Sequence, residues 1–270
     1  MIPEVELKEG IHALHLFYQI DRERWDEVSK AESESAMEAL QTLCDANNEA
    51  SHPRLRTFVN VGGKADLCFF FLAKTLGEVS AMQRKIERTF PVGALMPVYS
   101  FLSVTELSEY TSSEEDYHRM LTDEEKLEPG SEAYNERLEG IRKKLKEYQH
   151  YRLYPELPDW EIMGFYPMLK RRSGNDNWYR LGFDERKKLM GGHARVGRKY
   201  AGRVSQLITG ATGLDDWEWG VTLMAHKTDD IKDIVYEMRF DEVTARFGEF
   251  GPFYINLRLE PESIWEHLEL

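Results

Sequence analysis

Short apolar runs and amphipathic stretches follow one another in an order that occurs twice along the chain. His12–Ile20 (HALHLFYQI) is dense in apolar and aromatic residues and predicts a strand. Residues Arg22 to about Ala46 carry a helical period. LRTFVNV and DLCFFFLA, joined around Gly62 and Gly63, predict a hairpin, because paired glycines supply the turn between two apolar strands. Leu76 to Phe90 predicts a second helix, and VYSFLSV a closing strand.

The second half runs the same way. Trp160 to Leu169 (WEIMGFYPML) predicts a strand, and Asp184 to Gly202 a helix with Asp184 as N-cap. VSQLITGA and DWEWGVTLMA predict a hairpin through Gly210 and Gly213, Thr228 to Phe240 a helix, and GPFYINLRL a last strand. Landmarks recur at near-constant offset: Gly63, Asp66, Leu67 and Phe69 match Gly213, Asp216, Trp217 and Trp219, and Phe17-Tyr18 matches Phe165-Tyr166. Chance similarity of two hairpins is the competing explanation. Two βαββαβ units predict an α+β fold, in which two ferredoxin-like repeats form a dimeric α+β barrel within one chain. The division is 1–105 for the first half, 106–159 for a connector and 160–270 for the second half. The connector is rich in Glu, Lys, Tyr and Ser, and Ser131 to His150 has helix formers and i,i+4 charge pairs.

Composition narrows the classes. With 270 residues and 41% hydrophobic content the chain can bury a real core. A formal net charge of -13 argues against nucleic acid and against a basic membrane-surface protein. Cys44 and Cys68 form no CxxC pair, which fits a reducing cytoplasm. The N-terminal stretch MIPEVELKEG has no apolar signal core, and the run Leu67 to Ala73 is too short to span a bilayer.

Three segments could carry chemistry. On the strand GFYPMLKRR, alternation puts Tyr166, Met168 and Lys170 on one face, with Phe165 and Leu169 on the other. A phenol, a thioether and an ammonium in a row suit a polar ligand; a solvent-exposed face is the plainer explanation. In the helix FDERKKLMGGHARVGRKYAGRV, His193 falls on the apolar stripe with Leu189, Val196 and Tyr200. Gly191, Gly192 and Gly197 flank it, although glycine costs a helix interior about 1 kcal/mol each. Their presence suggests a bulky flat object close to the backbone, and a neutral imidazole facing an apolar pocket is a usual ligand of haem iron. A core histidine bonded to a neighbour is the alternative. Finally, basic residues crowd 170–203, including Lys170, Arg171, Arg172, Arg180, Arg195, Arg198, Lys199 and Arg203. In so acidic a chain they point to a local anionic ligand, while Arg186, Lys187 and Lys188 read as a solvated helix face. No HExxH, cysteine-based zinc site, EF-hand, Walker loop, GxGxxG or GxSxG pattern competes.

FYPMLKRR, NWYRL, KLMGGHARVGRKYAGRVSQLITGATGLDDWEWGVTL and YEMRFDEVTARFGEFGPF resemble the coproheme decarboxylases of monoderm bacteria, within the chlorite dismutase-like superfamily. The resemblance is dense from about Arg152 to Phe253 and looser before it. It implies a homopentamer with the porphyrin in the C-terminal half. It implies His193 as axial iron ligand, Tyr166 as catalytic tyrosine and Lys170 beside the reacting propionate. Arg152 would bind a propionate and Gln206 would take the distal position. Met168, Trp178 and Trp219 would line or flank the pocket, with plain packing as the alternative for each. Chlorite-splitting members carry a distal arginine; Gln206 is neutral and cannot hold an oxyanion in that way. Thr244 stands where the decarboxylases often have serine and keeps the hydroxyl.

The implied reaction is peroxide-dependent decarboxylation of two propionates of iron coproporphyrin III (coproheme), giving haem b through harderoheme with a tyrosyl radical at Tyr166. Coproheme would be substrate, redox centre and product, hydrogen peroxide the co-substrate, and a coproporphyrin ferrochelatase a transient partner. A haem peroxidase acting on outside reductants, a non-enzymatic haem carrier and a barrel without haem are the rivals.

Overall fold

Strand β1 (His12–Ile20) is buried along almost its whole length, so both of its faces need cover. A computed structural model, describing residues 4–48, 54–111 and 113–270, shows how this is met. The first three residues of the N-terminal stretch lie outside the described residues.

After β1 come α1 (Arg22–Asp26), α2 (Lys30–Asn48), β2 (Arg54–Val61), β3 (Leu67–Ala73), α3 (Leu76–Thr89) and β4 (Leu95–Thr105). The connector holds α4 (Glu114–Arg119), a π-helical turn (Met120–Glu124) and α5 (Glu132–Leu153). The second half has β5 (Ile162–Lys170), α6 (Phe183–Arg198), β6 (Val204–Gly210), β7 (Trp219–Ala225) and α7 (Thr228–Met238). It ends with α8 (Glu242–Phe247), β8 (Gly248–Phe250), β9 (Tyr254–Arg258) and α9 (Pro261–Leu268).

The first four strands pair antiparallel in the order β4-β1-β3-β2, and the second set in the matching order β6-β7-β5-β9. The α+β fold is therefore two βαββαβ units, each with the strand order of a ferredoxin-like sheet. Two seams close them into a barrel. At one, Phe58–Val61 pair with Ile255–Arg258, and Asn60 donates to Asn256 Oδ1 at 2.8 Å while Asn256 donates to the Met163 carbonyl at 3.0 Å. At the other, only Val104↔Gly210 and Thr105↔Thr209 pair, and Asp215 accepts from the Leu102 N–H at 3.2 Å.

Alternation then sorts the side chains. Phe17, Phe58, Phe70, Phe101, Phe165 and Tyr254 fill the barrel interior. His15 is wholly buried among them, stacked at 4.1 Å on both Phe70 and Phe165, with Nε2 2.9 Å from Thr222 Oγ1. The outer face of the first sheet packs Leu14, Leu16, Tyr18 and Phe69 beneath α2, α3 and α9. The outer face of the second packs Tyr166, Val221 and Leu223 with Ile231 and Ile234 of α7.

Several expectations are corrected. The helix from Arg22 breaks at residues 27–29, where Ser29 and Glu32 exchange capping hydrogen bonds and start α2 afresh. Gly182, not Asp184, is the N-cap of α6, and Asp184 lies in the first turn, where its charge suits the helix dipole. That helix ends at Arg198, before Gly202 takes a positive φ of 81°. The last strand begins at Tyr254 rather than Gly251, and a short unexpected strand, β8, precedes it; at Gly251, between the two, an added Cβ would meet Pro167 at 2.6 Å. The landmark offset is not a register: Tyr18 pairs with Leu67 but Tyr166 with Val221, because the turn at 211–218 is longer than that at 62–66. Helix α9, unforeseen, places Ile264 and Trp265 in the first core. Among the described residues no helix is long and apolar enough to cross a membrane.

Two outcomes follow for stability. Phe165→Ala should cost about 3–5 kcal/mol, against less than about 1 for the exposed Val61→Ala, as read by urea denaturation. Burial pushes His15 down to about 3 from 6.5, so the unfolded chain binds the extra proton between those values. Stability from this site is complete above about pH 6.5 and falls by about 1.4 kcal/mol per pH unit below it. His15→Leu should flatten the acid limb of unfolding free energy against pH by that slope.

Candidate functional site

The polar residues of the second half gather on the outer face of β5, where the bland expectation of a solvent-exposed strand fails. Tyr166 is 5% exposed and Lys170 6%. Tyr166 stacks on Phe253 at 4.5 Å and lies near Phe250, and its hydroxyl has no hydrogen-bond partner among the described residues. Burial pushes the phenol well up, with Arg239 pulling back, so it stays protonated. Met168 lies between the two on the same outer surface.

Lys170 ends β5. Its ammonium sits 5.2 Å from the Trp178 ring centre, with no hydrogen-bond acceptor among the described residues. Burial pushes it down to about 8, with Asp241 and then Glu218 pulling it back up. Trp178 stacks edge-on to Phe247 of α8 at 5.2 Å and approaches Tyr110 of the connector.

Helix α6 presents His193. Its Nδ1 is 3.0 Å from Asp241 Oδ2 and 3.4 Å from Thr244 Oγ1. Asp241 is also the N-cap of α8: one oxygen accepts the Thr244 N–H at 3.0 Å, and the other accepts the Thr244 hydroxyl at 2.8 Å. Burial pushes the Asp241 carboxyl up, but the hydrogen bonds it accepts from His193 and Thr244 outweigh it, leaving it below its usual value. A carboxylate only accepts, so Nδ1 carries the proton and Nε2 is the free lone pair. No partner for Nε2 occurs among the described residues. This is how a ligand histidine is oriented from behind.

Gln206, on β6, donates to the carbonyl of Gly197 at 3.1 Å. Of the three glycines around His193, only Gly197 is tightly approached, by Met238 and Gln206; a Cβ at Gly191 would meet nothing within 4 Å. Arg152, near the end of α5, shares a cleft with Gln206, Ser205, Leu207 and Pro155. Its guanidinium donates to the Ile208 carbonyl at 3.3 Å, and its buried Nε has no partner. The structure thus brings Tyr166, Lys170, Trp178, Thr244 and His193 into one region. Arg152 and Gln206 line a neighbouring cleft that none of those five lines. Trp219 turns instead to Glu106 at 3.3 Å.

The basic stretch is largely neutralised locally. Arg171 pairs with Glu249, Arg186 with Glu109, Lys187 with Asp116, Lys199 with Glu237 and Arg203 with Asp230. Sequence reasoning missed Asp241 and Glu218. A helix start of the form Asp-x-x-Thr at Asp241–Thr244 signalled the cap, but not that the spare carboxylate oxygen would reach α6.

The sequence model of a family described as Chlorite dismutase matches residues 32–259. A protein of Natronomonas pharaonis, named provisionally as heme-binding, is 41% identical over 261 residues. The match covers 95% of this chain and 40% of that protein, so this chain spans less than half of its relative's length. A solved structure described as a novel heme-binding protein from Thermus thermophilus is similar at 39% identity with a TM-score of 0.79, covering 100% of this chain and 98% of that one. A chlorite dismutase variant from Candidatus Nitrospira defluvii has a TM-score of 0.71 over 98% of both chains at 16% identity, a likeness of fold alone.

The Asp241 contact has a direct readout. Nitrogen-15 NMR of the imidazole should show His193 protonated at Nδ1. In Asp241→Leu the accepting oxygens are gone, and the preference for the proton at Nδ1 should be lost. An unchanged tautomer would refute the carboxylate's orienting role.

Proposed function

The chain belongs to the chlorite dismutase family, and from that premise we propose that it is a peroxide-dependent decarboxylase of iron coproporphyrin III. The observation that carries this reading is a donor set left without partners: His193 Nε2, the Tyr166 hydroxyl, the buried Lys170 ammonium and the buried Arg152 Nε. Buried polar groups are normally satisfied, which marks the Arg152 Nε as lacking a partner, while His193, 26% exposed, leaves its lone pair open to a ligand. An iron porphyrin with carboxylate arms fits their chemistry. An imidazole lone pair suits the iron, and ammonium and guanidinium suit propionates.

His193 is the residue we give to the iron, held from behind by Asp241. Lys170 would orient the reacting carboxylate, and Arg152 another. Met168 would border the substrate beside Tyr166. Thr244, bonded to Asp241, would act chiefly by fixing that carboxylate. Gln206 would form the distal wall, and being neutral it offers no charge to an oxyanion. With hydrogen peroxide, the bound iron porphyrin supplies a two-electron oxidant. Tyr166, kept as a phenol by burial, gives up an electron and its proton and then takes a hydrogen atom from the propionate β-carbon. A second electron leaves, the bond to the carboxyl breaks, carbon dioxide departs and a vinyl group remains. Each propionate consumes one peroxide, which is reduced to water.

A haem carrier is the second reading, favoured by the names of the Natronomonas and Thermus relatives, which speak only of heme binding. Anaerobic addition of iron coproporphyrin III, titration with hydrogen peroxide and mass analysis of the porphyrin separate the two. Stepwise loss of two carboxyl groups is expected, and a bound but unmodified porphyrin would favour the carrier. Tyr166→Phe should keep porphyrin binding and lose conversion by at least about a hundredfold. His193→Ala should change the absorption spectrum of the bound porphyrin; an unchanged spectrum would refute the ligand assignment.

A further inference from the structure

The ladder between β5 and β7 ends at Met168↔Trp219, two residues short of Lys170. Beyond it one residue, Glu218, takes over the pairing. Its backbone N–H donates to the Met168 carbonyl at 3.1 Å, and its side-chain Oε2 accepts from the Lys170 N–H at 2.8 Å. Main chain and side chain together clamp Met168–Lys170 as two consecutive strand residues would. Strand β8 pairs with Met168–Lys170 along the other edge, and the clamp closes the edge that β7 leaves open, so Lys170 is held extended from both sides and on the same face as Tyr166.

Glu218 is itself buried, at 6% exposed. A carboxylate is rarely buried without a task, because its desolvation is costly. Its partners are the Lys170 amide and, at 3.8 Å, Arg172, and burial and this carboxylate together push the nearby Tyr179 phenol up. Asp241, before α8, and Glu218, before β7, act on the Lys170 ammonium through their charge from beyond ion-pair distance, and the Trp178 ring is neutral. Asp241 is already engaged by His193 and Thr244.

We infer that Glu218 is a positioning residue for Lys170: it holds the edge of β5 that β8 does not, and its buried charge helps keep the lysine an ammonium able to bind a substrate carboxylate. The inference rests on the porphyrin reading above for the identity of that carboxylate. Both roles belong to one side chain but separate by substitution. Glu218→Gln keeps an accepting oxygen for the Lys170 amide and removes the charge, whereas Glu218→Ala removes both.

The test has two arms. In the first, the side-chain carbon next to the Lys170 nitrogen is followed by NMR through a pH titration without porphyrin, with Lys170→Met to identify the signal. Lys170 should titrate near 8 in the unmodified chain and lower in Glu218→Gln. In the second, iron coproporphyrin III is titrated spectroscopically at several pH values. If the lysine titration moves down by about one pH unit, its charged fraction near pH 8 falls from about half to about a tenth, and porphyrin affinity there should fall roughly fivefold. Glu218→Ala should lose more affinity than Glu218→Gln at every pH. A purely structural Glu218 would leave the Lys170 titration and the pH profile of binding unmoved in Glu218→Gln, and that result overturns the inference. Failure of the unmodified chain to bind the porphyrin would overturn the porphyrin reading instead, because the first arm decides the lysine's countercharge without any porphyrin present.

Discussion

The barrel closes because β2 pairs with β9 and β4 with β6, and a closed sheet gives each side chain only two directions. It points into the barrel or out toward the helices. The register of β5 is therefore the constraint on which the second half depends. With Phe165 locked among Phe17, Phe101, Tyr254 and His15, the neighbours Tyr166, Met168 and Lys170 have to face outward, away from the barrel interior. A slip of one residue would put an ammonium and a phenol into an aromatic core and an aromatic ring into the polar pocket. The interior packing thus acts at a distance as the positioning device of the site.

The two halves use the same architecture differently. In the first, the outer face of the sheet meets α2, α3 and α9 through side chains such as Leu14, Leu16, Phe69, Ile86 and Trp265. In the second, the matching face carries a smaller apolar cluster and hosts Tyr166, Lys170 and Gln206. The repeated architecture allows this division. One half supplies a conventional core, while the other tolerates unpartnered polar groups whose burial costs stability.

Lys170 shows that penalty locally. Taking its ammonium out of water lowers its pKa, which means that its charged form weakens the folded state near neutral pH. Two carboxylates and an indole ring offset part of that penalty without satisfying the nitrogen's hydrogen-bonding capacity. An incoming carboxylate would complete it, so ligand binding and stability are coupled through one residue.

Much of the architecture was legible in the chain. The twofold order of strands and helices follows from periodicity, and most strand boundaries lie within a few residues of their expected places, since alternation and turn glycines are local signals. The face shared by Tyr166, Met168 and Lys170, and the apolar stripe containing His193, are likewise set by backbone geometry alone. Other features depended on distant partners. Helix α9 docks by contact with residues more than two hundred positions earlier, as in the bond from Trp265 to Ser33. Asp241 reaches His193 across two helices, Glu218 splices β5 across a turn, and Arg152 meets Gln206 only because α5 ends beside β6. Sequence by itself determined which residues share an element and a face, because those relations are fixed by the backbone repeat. Tertiary structure alone decided which polar group meets which, because such meetings depend on where long-range packing brings elements together.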